Sequence, residues 1–208
     1  MPATIDALLP LSLLESVKAS DAVEGWELDA VPELRNKRLG LSDTVNAQIR
    51  RYREAVRRGH RIGEGEVMSL ATLIGRRADA EAVFIGAGEW MAVEVTNGIS
   101  PVTRRSLQTL PSLLARPLAL RQVRRVALRY LNGRVSRVGS TVLLRVPEPF
   151  GRDGGAGTAP CLFYESLLRS LITELVGSSG GVEHVRCTCR GDGVCEWRAE
   201  WRKAARAA

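Results

Sequence analysis

The segment Cys187-Thr-Cys-Arg-Gly-Asp-Gly-Val-Cys195 places three cysteines within nine residues near the end of this 208-residue chain. The Gly-Asp-Gly in its middle is typical of a tight turn, and residues of high strand propensity flank it on both sides. The sequence therefore predicts two antiparallel strands, 182–189 and 194–201, joined at residues 190–193. Thiolates on the two sides of such a turn can meet around one metal ion.

The register of this hairpin decides which side chains share a face. A three-residue turn with a bulge at Gly193 would set Cys189 opposite Cys195. The same register sets Cys187 opposite Trp197. All three cysteines would then lie on one face of the hairpin, because side chains alternate along a strand.

The fourth donor of a metal site is left open by this pattern. His184 would point to the face opposite the cysteines, so it can bind the same ion only if its strand is twisted or bulged there. Glu183 and Cys189 are therefore alternative donors. Cys161 is a further candidate because it opens a predicted helix, where a thiol ionises more easily. The simpler alternative is that the cysteines are small buried hydrophobic residues.

The rest of the chain predicts an α+β fold: an antiparallel sheet packed against helices, with an all-helical N-terminal portion. Short helices are expected within residues 1–40, and two further strands at 135–138 and 141–146. A Pro/Gly-rich loop spans residues 147–160. Longer helices are predicted at 44–58, 65–75, 79–95, 104–132 (interrupted near Pro111 and Pro117) and 161–176. Small residues at 86–88 favour the close approach of another element, with space for a ligand as the alternative.

Composition limits the classes of partner. Arginine supplies almost all of the positive charge behind the net charge of +7. An arginine-rich surface suits anionic partners, but a GC-rich genome would give the same composition. No helix-turn-helix or RNA-binding signature accompanies the arginines, so nucleic acid is not expected as a partner. No run approaches the roughly 20 apolar residues of a membrane span, and no basic segment precedes the first apolar stretch, so we expect a cytoplasmic protein.

Two segments resemble the 4-vinyl reductase domain family. They are Pro160-Cys-Leu-Phe-Tyr-Glu-Ser-Leu-Leu-Arg-Ser-Leu171 and Val185-Arg-Cys-Thr-Cys-Arg-Gly-Asp-Gly-Val-Cys-Glu-Trp197. The family includes a vinyl reductase protein of bacteriochlorophyll synthesis and the sensor domains of phenol- and xylene-responsive activators, and it is related in fold to the small subunits of the TRAPP tethering complex. The resemblance covers residues 159–201 and extends back to about residue 62.

The resemblance implies a zinc site. Its motif matches this chain at Cys161, Cys187, Gly191 and Cys195. The family has an acidic residue where this chain has His184, and histidine is an equally good zinc donor. The implied ligand set is therefore Cys161, His184, Cys187 and Cys195. It also implies that residues 61–208 form a vinyl-reductase-type ligand-binding domain, commonly dimeric, and that residues 1–60 are an N-terminal helical extension.

The resemblance further implies a pocket for a hydrophobic or aromatic small molecule, with loop 147–160 as a flap. Each pocket candidate is also explained as ordinary core; they are Phe84, Trp90, Met91, Tyr130, Phe163 and Tyr164. The main hypothesis is a stand-alone zinc-stabilised sensor or carrier that acts through a partner protein. The alternatives are an accessory protein or reductase of tetrapyrrole biosynthesis and a dimeric TRAPP-like adaptor without ligand. No nicotinamide or flavin fingerprint is present, so direct catalysis is not expected.

Overall fold

The computed structural model describes residues 4–24, 43–109, 112–151, 157–177 and 180–200. These residues contain seven α-helices and six β-strands, which form the expected α+β fold. The helices are α1 (Leu8–Glu24), α2 (Asp43–Arg58), α3 (Glu64–Gly75), α4 (Ala80–Asn97), α5 (Pro101–Thr109), α6 (Ser112–Tyr130) and α7 (Ala159–Val176). The strands are β1 (Thr4–Asp6), β2 (Arg61–Gly63), β3 (Arg134–Val138), β4 (Thr141–Val146), β5 (Val182–Arg186) and β6 (Cys195–Glu200).

The main sheet is antiparallel throughout, in the order β3-β4-β6-β5. Its central strands alternate as expected for a sheet with one covered face. Val142, Leu144 and Val146 are buried on β4, and Trp197 and Ala199 are buried on β6. Helix α7 lies against β5 and β6, and α6 contacts β3. Strand β5 follows α7 in the chain and packs against it. The turn of the β5–β6 hairpin lies near the first turn of α7, where Cys161 contacts Cys187.

Helices α4 and α7 form the most extensive helix contact of the fold. Gly88 on α4 permits this contact, because a Cβ atom there would lie 2.1 Å from Ser166 Oγ and 2.4 Å from the Phe163 carbonyl oxygen. The close approach expected at residues 86–88 is therefore confirmed. This pair of helices, with the sheet on one side of α7, forms the centre of the hydrophobic core.

The N-terminal segment belongs to the same core. Helix α1 packs against α4, and its leucines at positions 8, 9, 11, 13 and 14 are buried. Residues 4–6 form β1, which pairs with β2 so that Ile5 lies opposite Ile62. The N-terminal portion is helical as predicted, apart from this strand, whose three residues are too few to show a two-residue period. Residues 25–40 of the segment expected to form one or two short helices lie outside the described residues. The division at residue 60 stays a prediction.

The helix interruptions predicted near Pro111 and Pro117 had different outcomes. Helix α5 ends at Thr109 and α6 begins at Ser112, on the two sides of Pro111, as expected. The predicted interruption near Pro117 is wrong, because α6 continues through it. A proline removes one backbone hydrogen bond, and the buried residues Ala119 and Val123 hold the helix against the core beyond it. No helix in the described ranges is both long and apolar enough to cross a bilayer.

Candidate metal centre

Three cysteines and one histidine converge at the end of the sheet. One ligand atom from each of Cys161, His184, Cys187 and Cys195 lies within 4.8 Å of all the others. The Sγ atoms of Cys161 and Cys187 are 3.9 Å apart. The three cysteine side chains are buried, and no disulfide joins them. These are the four residues that the resemblance implied as a ligand set.

Local backbone structure explains how the cysteines meet. Cys161 lies in the first turn of α7, directly after Pro160, a residue favoured at the start of a helix. Cys195 is the first residue of β6. Between the strands, Thr188–Arg190 form one turn of 3₁₀ helix that ends at Gly191, whose φ of 92° favours glycine.

The hairpin register differs from the sequence prediction. Strand β5 ends at Arg186, and the register shifts between His184 and Arg186, so His184 rather than Cys187 lies opposite Trp197. The predicted pairing of Cys189 with Cys195 is also wrong, because Cys189 lies in the 3₁₀ turn. A short helical turn replaces the expected three-residue turn, and Asp192 stabilises it by accepting a 2.7 Å hydrogen bond from the Cys187 amide.

Strand β5 contains the bulge that His184 needs in order to lie on the same face of the hairpin as the cysteines. A bulge turns side chains that would otherwise alternate onto the same side. His184 now faces the buried side of the hairpin, and its ring stacks on Trp197 with centroids 4.6 Å apart. Its Nε2 atom is buried without a hydrogen-bond partner among the described residues. A buried, unpaired nitrogen on an imidazole that contributes a ligand atom to a three-cysteine cluster suits a metal ligand.

The separation of the Cys161 and Cys187 sulfur atoms fits a tetrahedrally coordinated ion. Zinc binds cysteine sulfur at about 2.3 Å, so two sulfurs of a tetrahedral site are separated by about 3.8 Å. The observed Cys161–Cys187 separation of 3.9 Å matches this edge. Three sulfurs and one nitrogen also form a complete four-donor set, so the cluster could hold a metal such as zinc.

The electrostatics of the cluster favour a thiolate at Cys195. The neighbouring Cys161 thiol, the hydroxyl and amide of Thr188 and the imidazole of His184 outweigh the effect of burial and lower the pKa of Cys195 to about 4. The amide and the hydroxyl of Thr188 each lie 3.3 Å from the Cys195 sulfur. The pKa of Cys161 is raised by its hydrogen bond to Cys195 and by burial.

The two alternative donors lie outside this cluster. Glu183 is exposed and pairs with Arg198 in the β5–β6 ladder, on the face opposite His184. Cys189 is also exposed, and its sulfur lies 3.4 Å from the Gly157 carbonyl oxygen. Burial, followed by the neighbouring Cys187, raises the pKa of the Cys189 thiol. Sequence spacing alone left these donors open, and the structure places His184, rather than Glu183 or Cys189, beside the three buried cysteines.

The six pocket candidates occupy different environments. Phe84, Met91, Phe163 and Tyr164 are fully buried, whereas Trp90 and Tyr130 are partly buried against the core. Three of the buried residues belong to what we call the aromatic cluster. Its members are Phe84, Phe150, Phe163, Tyr164 and Trp197, with neighbouring ring centroids 4.9–6.2 Å apart.

A small cavity lies elsewhere, between α6, α7 and β4. It has a volume of about 10 Å³, room for one water molecule, and none of the six candidates lines it. Its apolar lining consists of Val123, Val126, Ala127, Leu131, Leu144, Leu167, Leu168 and Leu171. The aromatic cluster lies outside this cavity, and its rings contact one another directly. The expected flap is described only in part, since residues 152–156 of the loop lie outside the described residues.

Two residues of this region were missed by the pocket prediction. Phe150 belongs to the loop yet is 3% exposed, and its amide donates a 3.1 Å hydrogen bond to the Tyr164 hydroxyl oxygen. Trp197 is stacked between Tyr164 and His184. A signal for Trp197 was available, because it follows Cys195 by two residues and must share its face of β6. No comparable signal existed for Phe150, since its burial depends on the path of the loop.

Comparison of the chain with models of known protein families, with curated proteins and with solved structures found no match. The resemblance to the 4-vinyl reductase domain therefore stays a prediction based on the cysteine motif and its surroundings. The four-residue cluster stands independently of it, because it follows from the geometry of α7, β5 and β6.

Proposed function

We propose that the Cys/His cluster binds one structural zinc ion and that the chain is a zinc-stabilised domain of the 4-vinyl reductase type. The convergence of three buried sulfurs and one imidazole within 4.8 Å carries this proposal. Catalytic zinc sites commonly have three protein ligands and an open position, whereas structural sites have four protein ligands. This set supplies four, so the ion would have a structural role.

The ion would connect parts of the fold that are distant in the chain. Cys161 belongs to α7, whereas His184 and Cys195 belong to the two strands of the hairpin. Zinc would therefore fasten the hairpin to the start of the central helix. Because such a site forms only in the folded chain, its binding free energy adds to the free energy of unfolding.

Metal analysis of the purified protein tests this proposal. We expect about one zinc ion per chain, a lower melting temperature after chelation, and recovery when zinc is restored. Cys195→Ser should abolish stoichiometric zinc binding. Cys189→Ser is the matched control, because Cys189 lies two residues from Cys187 but outside the cluster. A folded wild-type protein without zinc, equally stable with and without chelator, would contradict the proposal.

We further propose that the domain binds a hydrophobic, aromatic molecule as a sensor or carrier. Phe150 supports this because it is an aromatic ring carried on a Pro/Gly-rich loop and inserted among Phe84, Phe163 and Tyr164. A planar ligand that displaced this ring would find an apolar, aromatic site next to the metal centre. Native mass spectrometry and absorbance of the purified protein test for a retained ligand; a visible band would indicate a tetrapyrrole.

The close packing between α6, α7 and β4 favours a second candidate, a dimeric adaptor that binds no ligand. The cavity between α6 and α7 holds no more than one water molecule. Light scattering coupled to size-exclusion chromatography distinguishes the candidates when it is combined with a binding assay. An adaptor is dimeric and does not respond to small aromatic compounds, whereas a sensor shows a ligand-dependent melting temperature.

A further inference from the structure

Positive charge is concentrated in one stretch of the chain. Residues 95–147 contain ten arginines and no aspartate, glutamate or lysine. The net charge of the whole chain is +7, so the residues outside this stretch sum to −3. A GC-rich genome would raise the arginine content throughout the chain, but it would not remove acidic residues from one stretch. This segregation predicts a cationic region on the folded chain.

The fold gathers four of these arginines on what we call the basic surface. Its members are Arg121, Arg124, Arg125 and Arg137. The first three are exposed on α6, and their spacing of three and four residues places them on one side of the helix. Arg137 is exposed on β3 and pairs with Val142, so it lies on the face of the sheet that the helices cover. Helix and strand are joined by the Arg124 guanidinium, which donates a 3.2 Å hydrogen bond to the Val135 carbonyl oxygen.

Carboxylates do not compensate the charge of the basic surface. Within the described ranges, none of its four arginines forms an ion pair with an acidic side chain. Arg129, one turn beyond Arg125 on α6, is paired with Asp6 at 3.3 Å. Helix α2 is also rich in arginine, but four of its five arginines pair with glutamates. The basic surface therefore keeps its positive charge available to an anion outside the chain.

An exposed leucine lies in the middle of this basic helix face. Leu128 follows Arg124 by four residues and Arg125 by three, and it is 66% exposed. Val138, next to Arg137 in the chain, is 65% exposed. Exposed apolar side chains gain little beside the phosphates of a nucleic acid, whereas they can enter the boundary between the headgroups and acyl chains of a bilayer. The combination of arginine and exposed apolar residues favours a lipid surface as the partner.

We propose that the basic surface docks this chain on membranes that contain anionic phospholipids. The arginines bind the headgroup phosphates, whose oxygens match the forked guanidinium. Leu128 and Val138 enter the boundary between headgroups and acyl chains. This inference goes beyond the proposed zinc site and is independent of it, because none of the four cluster residues takes part.

Sedimentation of the purified chain with lipid vesicles tests this proposal. We expect binding to phosphatidylcholine vesicles that contain about one quarter phosphatidylglycerol, none to pure phosphatidylcholine, and weaker binding as salt screens the charges. Each basic residue near an anionic bilayer contributes about fivefold in affinity, so Arg121→Gln/Arg125→Gln should bind roughly 25-fold more weakly. Arg50→Gln/Arg76→Gln is the matched control, because it removes the same charge from exposed positions outside the basic surface. Both double variants alter exposed side chains, so their melting temperatures should match that of the wild type.

A second pair of variants separates a lipid surface from other polyanions. Leu128→Ser should lower vesicle binding several-fold, because its side chain no longer enters the bilayer. Leu73→Ser, at a leucine of α3 that is 62% exposed, should leave binding unchanged. Equal losses in the two double variants, or unchanged binding of Leu128→Ser, overturn the proposal. It is also overturned if the wild type does not bind anionic vesicles at low salt; binding of duplex DNA through Arg121 and Arg125 would then identify nucleic acid as the partner.

Discussion

The imidazole of His184 lies on the indole of Trp197, with ring centroids 4.6 Å apart and planes 8° from parallel. The indole also stacks on Tyr164, with ring centroids 4.9 Å apart. Tyr164 in turn accepts the amide hydrogen bond of Phe150. The candidate metal ligand, the aromatic cluster and the Pro/Gly-rich loop are thus joined by one continuous set of contacts.

Replacing Trp197 should weaken both metal binding and the fold. Trp197→Ala removes the ring that orients His184, and loss of such a supporting contact commonly costs 10–100-fold in metal affinity. It also leaves a large cavity, so the free energy of unfolding should fall by about 3–5 kcal/mol. Trp197→Phe retains an aromatic ring, so its losses of metal affinity and of unfolding free energy should be smaller. Competition with a zinc chelator and urea unfolding measure the two effects, and equal affinity losses in both variants would contradict the orienting role.

Gly88→Ala should be among the most damaging single-methyl substitutions in the chain. The added Cβ would lie 2.4 Å from the backbone carbonyl oxygen of Phe163, which cannot rotate away, so α4 and α7 must separate. We expect the free energy of unfolding to fall by about 3 kcal/mol, at the upper end of overpacking effects. Gly65→Ala in α3 is the control, because no neighbouring atom lies within 4 Å of its Cβ. The higher helix propensity of alanine should raise the free energy of unfolding of this control by about 0.5–1 kcal/mol. Thermal and urea unfolding compare the two.

The ligand set shows how far sequence could predict this site. Clustered cysteines indicate metal chemistry because the donors are close in the chain, and Cys161 was a candidate because it opens a predicted helix. The alternation rule placed His184 on the wrong face, because a bulge is a departure from that rule and leaves no periodic signal. The position of His184 is fixed by stacking on Trp197, a tertiary contact.

The fold could be predicted where an element was long and periodic. The helices and the β3–β4 hairpin followed from apolar spacing and from β-branched residues. Strand β1 was missed because three residues do not establish a pattern, and its pairing with β2 joins residues more than fifty positions apart. The insertion of Phe150 among the aromatic rings is likewise a property of the packed core, and the sequence around it is typical of a surface loop.

Arg77 joins α1 to the turn before α4, and its removal should have a pH-dependent effect. The guanidinium binds Asp21 at 2.6 Å and Asp79 at 2.8 Å, and its hydrogen bond to Asp79 lowers the pKa of that carboxyl below its ordinary value of 3.8. Arg77→Gln leaves Asp21, whose side chain is 8% exposed, without its cation. We expect the free energy of unfolding at pH 7 to fall by about 1–3 kcal/mol.

The sign of the pH effect follows from the lowered pKa. A carboxyl with a depressed folded-state pKa stabilises the fold above its unfolded pKa and loses this effect as pH falls through the folded value. The difference between wild type and Arg77→Gln should therefore be largest near neutral pH and shrink below about pH 4. Urea unfolding at several pH values measures it. Arg76→Gln, at the exposed neighbouring arginine, should show little effect at any pH, and a difference for Arg77→Gln that did not change with pH would refute the ionic explanation.

Phe150→Ala should convert the centre of the aromatic cluster into a binding cavity. The ring is buried and lies 5.0 Å from Phe163 and 5.1 Å from Tyr164, so its removal should cost about 3–5 kcal/mol of unfolding free energy. An apolar cavity of this kind stays dry and accepts small aromatic molecules. Added benzene or toluene should therefore raise the melting temperature of Phe150→Ala. The control is the wild type, in which the Phe150 ring occupies its place among Phe163 and Tyr164. If neither compound stabilised Phe150→Ala more than the wild type, the aromatic cluster could not serve as a ligand site by displacement of this ring.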